Sequence, residues 1–225
     1  LYTAWAKSTV VNNVAIMGPM NATGPGNTPS RGRIFSCTPA SSADEEPCAR
    51  QILENLSYRA YRRPVTERAM ATLMNFYRDG RELRDFDTGV QYAMARILVD
   101  PIFVFRFEEE PEGVQDGQDY QISAFELASR LSFFIWSSIP DEELLASAAS
   151  GELNKDAEQE KQITRMLQDP KAQALVQNFA AAWLNLKQLD NVNPTSLAFD
   201  GSLRVAMKQE TELLLESVIL GNRPV

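Results

Sequence analysis

From Asp44 almost to the end of the chain, apolar residues recur at the spacing of an α-helix. The first helical segment shows the pattern at Ala49, Ile52, Leu53, Leu56 and Ala60. Steps of three and four residues place these side chains on one face of a helix, where they can pack against a neighbouring helix. Similar segments follow, separated by prolines, glycines and helix-capping residues. We therefore predict a mainly α-helical protein.

Residues 1–40 differ from the rest of the chain. The stretch STVVNNVAI is rich in β-branched residues, as strands are, and it is followed by MGPMNATGPGNTPSRGR, which is rich in turn-forming residues. A segment with so few apolar residues cannot form a core of its own. The sequence predicts a short β/loop extension that forms the tail of an upstream domain.

An acidic stretch, EEEPEGVQDGQD, interrupts the helical pattern near the middle of the chain. It contains no basic residue, and its proline and glycines disfavour a helix, so it indicates a solvated linker. Just after it, Ser123 and Glu126 have the spacing of a capping box, the mutual capping pattern that starts a helix. We predict two helical-bundle subdomains, residues 41–107 and 121–225, joined by a linker at 108–120. The second subdomain is expected to be truncated.

The most apolar stretch is FFIW, at residues 133–136, and it could be a membrane anchor, the floor of a site or part of the core. Polar residues flank it, and no apolar run in the chain reaches the roughly 18 residues that span a bilayer. We therefore predict no transmembrane segment and place FFIW in the core.

Three further stretches carry structural expectations. The PIFVFRF stretch before the linker is predicted to be extended. A helix starting near Pro170 is predicted to bury Leu175, Val176, Phe179, Trp183 and Leu186. A last helix is predicted from about Ser202, with apolar residues at Leu203, Met207, Leu214, Val218 and Ile219.

The chain contains no histidine and carries a formal net charge of -8. Histidine is the commonest metal ligand and general base in proteins, and it is the usual axial ligand of haem. Its absence excludes Ser-His-Asp catalysis, Cys-His catalysis and HExxH zinc sites built from this chain alone. The negative charge argues against nucleic-acid binding, which needs a basic face. We therefore expect no metal site or cofactor within the chain and no nucleic-acid partner.

The two cysteines, Cys37 and Cys48, enclose the segment TPASSADEEP. They are too far apart for a CxxC motif, and two thiolates without histidine make a poor zinc site. In a reducing compartment they would be free thiols, whereas in an oxidising one they would form a short-loop disulfide. The residues alone leave both states open and favour the disulfide, which would stabilise the fold by about 2–3 kcal/mol.

Three long motifs carry a resemblance to a known family. They are RAYRRPVT at residues 59–66, ILVDPIFVFRFE at 97–108 and ELASRLSFFIWSSIPDEELL at 126–145. Together they resemble the helical domains of unknown function found in large secreted proteins that also contain planctomycete-type cytochrome c domains. The resemblance covers most of the chain, from about residue 15 onward.

This resemblance implies a compartment and a context, and it carries over no catalytic residue. It implies an extracytoplasmic location (periplasmic, cell-surface or secreted), which supports the disulfide. It also implies haem c elsewhere in the full protein or on a partner, because the CxxCH attachment motif is absent from this chain. The expected partners are other domains of the same polypeptide or a c-type cytochrome.

Five arginines form the candidate binding patch. Arg59, Arg62 and Arg63 are clustered in one motif, and Arg31 and Arg33 lie in the Gly/Pro-rich loop. Guanidinium groups suit planar carboxylates, such as those of an acidic sugar or the propionates of haem in a docked cytochrome. The alternative is structural, because cations at the end of a helix favour its dipole and bind its free carbonyls.

Arg106 and Arg130 each lie among apolar residues, in IFVFRFE and LASRLSFF. A buried arginine needs a carboxylate partner. Glu108, Glu126 and Asp141 are the candidate partners, and we expect structural ion pairs that hold the two subdomains together.

Two functional hypotheses follow. In the first, the chain is a structural or docking portion of a large extracytoplasmic, cytochrome c-associated protein and supports electron transfer. In the second, it is part of a secreted enzyme that acts on an extracellular polymer such as a polysaccharide, with catalytic residues that are unknown. Among 30 acidic residues, a pair at glycosidase spacing can arise by chance. The sequence favours the first hypothesis and leaves enzymatic activity open.

Overall fold

The computed structural model describes residues 15, 17, 18, 20, 26–115, 117–192, 199–221, 223 and 224. Within these residues the regular secondary structure is helical and no strand forms, which confirms the prediction of a mainly α-helical protein. The chain divides into two compact units, Leu1–Ser36 and Cys37–Val225. None of the described helices is long and apolar enough to cross a membrane.

In the first unit, helix α1 spans Pro29–Ile34. The side chain of Thr28 accepts a hydrogen bond from the backbone N–H of Arg31 at 3.1 Å, and proline occupies the first turn, where its missing N–H costs nothing. The prediction that Arg31 and Arg33 lie in a loop is therefore wrong, because this cap starts a helix there. The predicted strand STVVNNVAI lies outside the described residues, apart from its alanine.

The second unit begins with a first helical group, which comprises α2 (Glu45–Tyr61), α3 (Glu67–Leu83), α4 (Phe86–Leu98) and α5 (Pro101–Val104). Thr66 and Asp85 cap the second and third of these helices through side-chain oxygens. Asp100 caps α5 in the same way, accepting from the N–H of Ile102 at 3.0 Å. The prediction that PIFVFRF is extended is wrong for its first four residues, because this cap folds them into a helical turn.

The core of the first helical group lies between α2, α3 and α4. Its largest fully buried side chains are Ile52, Leu53, Met70, Leu73, Tyr77 and Val90. On α3 the buried residues Met70, Leu73 and Tyr77 recur three and four residues apart, as expected for a helix face that packs against its neighbours.

Two glycines allow α3 and α4 to approach closely. A Cβ atom added to Gly89 would lie 2.7 Å from the ring and backbone oxygen of Tyr77, and one added to Gly80 would lie 2.7 Å from the carbonyl oxygen of Thr88. Side chains at these positions would therefore force the two helices apart.

A second helical group comprises α6 (Ala124–Trp136), α7 (Glu142–Ala149) and α8 (Asp156–Gln168), with a 3-10 turn at Glu152–Asn154. The predicted capping box at the start of α6 is present. Its glutamate accepts from the backbone N–H of the capping serine at 2.8 Å, and its own N–H donates to the serine hydroxyl at 3.3 Å.

The core of this second group contains Ala128, Ile135, Trp136, Leu144, Leu153 and Met166. The indole N–H of Trp136 donates to the carbonyl oxygen of Met166 at 2.9 Å, which satisfies its buried polar atom. The assignment of FFIW to the core is thus correct for Ile135 and Trp136. It is wrong for Phe134, which is 51% exposed because it lies on the opposite side of α6.

After α8 the helical path becomes irregular. Its elements are a 3-10 helix at Pro170–Ala172, a π-helix at Leu175–Ala180, α9 (Ala181–Trp183), a 3-10 helix at Leu186–Asn191 and α10 (Gly201–Ile219).

The helix predicted from Pro170 buries only part of its apolar residues. Leu175 and Val176 are buried as predicted, whereas Phe179 and Trp183 are 47% and 71% exposed. The wider turn of the π-helix changes the angle between successive side chains, so residues at α-helical spacing no longer share one face.

The last helix, α10, exposes most of its apolar residues, including Leu203, Met207 and Leu214. Val218 and Ile219 are partly buried. Because α10 contacts the π-helix and the following 3-10 helix on one side only, the expected burial on this helix is incomplete.

A disulfide joins Cys37 to Cys48 across a sequence separation of 11 residues, with the two Cα atoms 5.5 Å apart. Cys48 is buried in the first turn of α2, so the disulfide fastens the segment that begins at Cys37 to that helix. Of the two states that the sequence left open, the structure contains the disulfide.

We expect removal of this bridge by Cys37→Ser with Cys48→Ala to lower the free energy of unfolding by about 3 kcal/mol, because a short loop is no longer closed in the unfolded chain. Urea titration with and without reductant measures the effect. The urea concentration at the midpoint of unfolding should fall when the wild-type protein is reduced, whereas that of the variant should not change. An unchanged wild-type midpoint would contradict the stabilising role.

We expect Gly89→Ala to destabilise the protein by about 1–3 kcal/mol, because the added methyl group overlaps Tyr77. Gly201→Ala is the matched control, since it adds a methyl group in open space at the start of α10. Thermal unfolding followed by circular dichroism compares the two. Equal melting temperatures for both variants would show that the α3–α4 contact is less tight than described.

Candidate functional site

A cavity of about 370 Å³ lies between the first and second helical groups. The end of α2, the segment that follows α5 and one face of α6 form its walls. Four guanidinium groups and two carboxylates line it, together with the rings of several phenylalanines. The cavity is open to solvent on one side.

Arg62 forms the inner wall of the cavity and is 7% exposed. It ends α2 in the left-handed conformation, with φ of 58°. Its guanidinium donates to the carbonyl oxygens of Ala60 at 3.0 Å, Ile102 at 2.7 Å and Phe105 at 3.2 Å. Burial lowers the pKa of Arg62, and the nearby charges of Arg106 and another arginine lower it further. The residue is therefore a buried cation whose hydrogen-bond partners are carbonyl oxygens, which carry no negative charge.

Arg106 lies beside Arg62, with its guanidinium carbon 4.3 Å from the centre of the Phe133 ring. The same ring lies 5.8 Å from the guanidinium carbon of Arg62. Within the described part of the chain, neither arginine has a carboxylate within ion-pair distance. The negative face of an aromatic ring attracts a cation but does not neutralise it.

The other two cavity arginines are paired with acids. Arg130 on α6 forms two parallel hydrogen bonds to Glu108, at 3.0 and 2.6 Å. Arg63 contacts the carboxylate of Glu109 at 3.2 Å. Both acids belong to the stretch predicted to be a solvated linker, and their contacts place its first residues at the mouth of the cavity.

Glu126 has a double role at the start of α6. One carboxylate oxygen completes the capping box with Ser123, and the other accepts from the backbone N–H of Glu109 at 2.7 Å. Burial alone would raise the pKa of Glu126, but the hydrogen bonds from these two residues and the charge of Arg63 outweigh it, so the pKa is lowered. The carboxylate is therefore fully ionised near neutral pH.

These groups leave the cavity positively charged. The lining contains four guanidinium groups, at Arg62, Arg63, Arg106 and Arg130, and two carboxylates, at Glu108 and Glu126. With Glu109, which pairs with Arg63, one positive charge is in excess. A Ser129 hydroxyl oxygen in the same wall is buried and has no hydrogen-bond partner among the described residues. An anion with oxygen acceptors would satisfy both the excess charge and the hydroxyl donor.

The cavity contains only part of the predicted arginine patch. Arg62 and Arg63 line it, whereas Arg59 is exposed on the last turn of α2 and does not. Arg31 and Arg33 belong to the first unit, where the guanidinium of Arg31 lies over the ring of Phe35 at 4.1 Å.

The prediction of buried ion pairs is wrong for Arg106, which is exposed and has no carboxylate partner among the described residues. Arg130 is exposed as well, although it is paired. Arg130 pairs with Glu108, one of its candidate partners. Asp141 instead caps α7 and pairs with Arg165 of α8, at 2.6 and 3.0 Å, within the second helical group. Arg165 was not predicted from the sequence, because it lies on α8, 24 residues from Asp141, and their pairing depends on the tertiary fold.

In the part of the chain that the structure describes, no group of three or more His, Cys, Asp or Glu residues is arranged to hold a metal ion. The site is therefore characterised by arginines and aromatic rings. The fold and the cavity together define a mainly α-helical protein with an arginine-lined cavity.

Comparison with known proteins adds two partial matches. Residues 48–108 match the family model PSD5, described as a protein of unknown function (DUF1595), and residues 122–225 match PSD4, described as a protein of unknown function (DUF1592). No curated protein and no solved structure matches the chain.

The cavity forms where the two matched segments meet. Arg62 and Arg106 come from the first match, and Glu126 and Arg130 come from the second. The division predicted from the sequence, with a linker at residues 108–120, stays a prediction.

We expect Glu126→Gln to cost about 1 kcal/mol of stability near pH 7, because the charged acceptor of two amide hydrogen bonds is lost. Since the pKa of Glu126 in the folded protein is below its ordinary value of 4.5, its contribution is present above that value and disappears as the pH falls. Urea titrations at several pH values should show the difference from wild type narrowing below about pH 4.

Glu160→Gln, which removes an exposed carboxylate from α8, is the control for charge alone. A Glu126→Gln difference that stays constant from pH 7 to pH 3 would show that the ionised carboxylate makes no special contribution.

Proposed function

We propose that this chain is the docking portion of a larger extracytoplasmic protein and that its cavity recognises carboxylate groups. The observation that carries the proposal is the pair of adjacent guanidinium groups, Arg62 and Arg106, that have no carboxylate partner among the described residues. Arginine presents its donors in a planar fork that matches a carboxylate, so such a pair is suited to bind one.

The surrounding contacts prepare the site for an anion before it binds. Three backbone carbonyls hold the guanidinium of Arg62, and the ring of Phe133 supports that of Arg106. Because these groups are already ordered, a ligand would lose less free energy to ordering side chains when it binds. The low exposure of Arg62 also strengthens its attraction for an anion relative to a surface arginine.

The wider context of the proposal is a cytochrome c-associated protein in an oxidising compartment, where the chain would support electron transfer. The disulfide Cys37–Cys48 is consistent with such a compartment. The sequence resemblance supports the cytochrome association, and under this proposal haem c would be on another domain or a partner. The propionates of a c-type haem are one source of the carboxylates that the cavity would take.

A second candidate function is enzymatic action on an extracellular polymer, with the two cavity carboxylates as the catalytic pair. A glycosidase needs one carboxyl group that keeps its proton near neutral pH. The pKa of Glu126 is lowered, and Glu108 is held by two hydrogen bonds from Arg130. The geometry therefore supports binding better than it supports general acid catalysis.

We expect citrate and a haem-bearing peptide with free propionates to bind the wild-type protein at low ionic strength, measured by isothermal titration calorimetry. Arg106→Gln should weaken the binding of both by roughly tenfold or more, because a charge-assisted hydrogen bond is lost. Arg62 is unsuitable for this test, since its replacement would leave buried carbonyls without donors.

Arg78→Gln is the matched control, because it removes the same charge from the pair with Glu46, outside the cavity. It should leave binding unchanged. If Arg106→Gln and Arg78→Gln weaken binding equally, the loss of affinity comes from the change in overall charge and not from the cavity. Absence of binding to the wild-type protein would overturn the proposal.

A further inference from the structure

We infer that a row of exposed aromatic rings beside the cavity binds a polysaccharide that carries carboxylate groups. The row, here called the aromatic ladder, consists of Phe134, Phe179 and Trp183. The inference rests on the proposed carboxylate recognition by the cavity and names the kind of molecule that supplies the carboxylate.

The ladder rings are in contact with one another but are open to solvent. The ring centres of Phe134 and Phe179 are 5.2 Å apart with an edge-to-face arrangement, and those of Phe179 and Trp183 are 6.3 Å apart with planes only 14° from parallel. Their exposed fractions of 51%, 47% and 71% are unusual for large aromatic residues in the interior of a helical segment. Exposed apolar rings that lie side by side mark a binding surface more often than isolated ones do.

The backbone gives the ladder its position. Phe179 lies in the π-helix and Trp183 ends α9, so the irregular turn carries both rings to the surface. Departures of this kind from α-helical geometry are frequent at functional sites. The side-chain amide of Asn178 donates to the hydroxyl of Ser137 at 2.8 Å, which fastens the π-helix to the end of α6.

The ladder and the cavity are continuous, because Phe134 belongs to both. A linear molecule lying on the ladder would therefore reach the mouth of the cavity, where Arg106 lies. Apolar faces and an acidic group in one chain molecule are the features of a polymer of uronic acid residues. Its sugar faces would stack on the rings, and a carboxylate would enter the cavity.

Other occupants fit these observations less well. A row of three rings is too narrow for a stable protein interface, which buries about 800 Å² on each partner. A haem propionate would fill the cavity and leave the ladder uncovered.

The test measures binding of the full chain to polygalacturonate and to an uncharged glucan by affinity gel electrophoresis and tryptophan fluorescence. We expect the wild type to bind polygalacturonate with a blue shift in emission, because stacking shields Trp183 from water. Trp183→Ala should weaken binding roughly tenfold, as aromatic stacking contributes at that level. Phe179→Ala and Arg106→Gln should weaken it as well.

Tyr92→Ala is the matched control, since it removes a ring of similar exposure from α4. It should bind as wild type does. Circular dichroism of each variant verifies the fold, and the exposed positions of the two ladder substitutions make unfolding an unexpected result.

Four results would overturn the inference. Equal affinity for the glucan and polygalacturonate would show that the cavity does not recognise the carboxylate groups of the polymer. Binding lost in Arg106→Gln but unchanged in Trp183→Ala would exclude the ladder. Binding of the haem-bearing peptide without binding of any polysaccharide would leave the proposed function in place and remove the polysaccharide, whereas failure of all ligands would remove both.

Discussion

The buried guanidinium of Arg62 joins the end of α2 to the chain on both sides of α5. It does so through three carbonyl oxygens, which supply negative dipoles but no negative charge. A buried cation of this kind is costly unless its charge is met in some way. The nearby cation of Arg106 increases that cost, and the proposal that the cavity recognises a carboxylate rests on this arrangement.

Much of the helical architecture was predictable because it depends on residues that are close together in the sequence. The spacing of Ile52 and Leu53 within their segment, the Ser123–Glu126 capping box and the interruption after Phe107 each indicate structure through neighbouring residues. The disulfide was one of two open states, since cysteine spacing does not report the redox environment. Two of the five patch arginines, Arg62 and Arg63, are in the site, whereas the role of Arg106 depends on a ring twenty-seven residues away.

The remaining features could not be predicted because they depend on contacts between distant segments or on departures from ideal geometry. Phe179 and Trp183 have the spacing of a buried α-helical face, and only the π-helix explains their exposure. Glu108 and Glu109 lie in a stretch whose composition indicates a solvated linker. Their carboxylate and amide contacts to the second helical group appear only when α6 packs beside them.

Glu126 closes a loop with a single side chain. One of its oxygens binds the amide of Glu109 and the other binds the amide of Ser123, so the two ends of the intervening chain are fastened at one point. The entropy of closing a loop grows only slowly with its length. The free energy of closing this loop therefore depends only weakly on the number of residues between Glu109 and Ser123, and it is the contacts of Glu126 that fix the two ends.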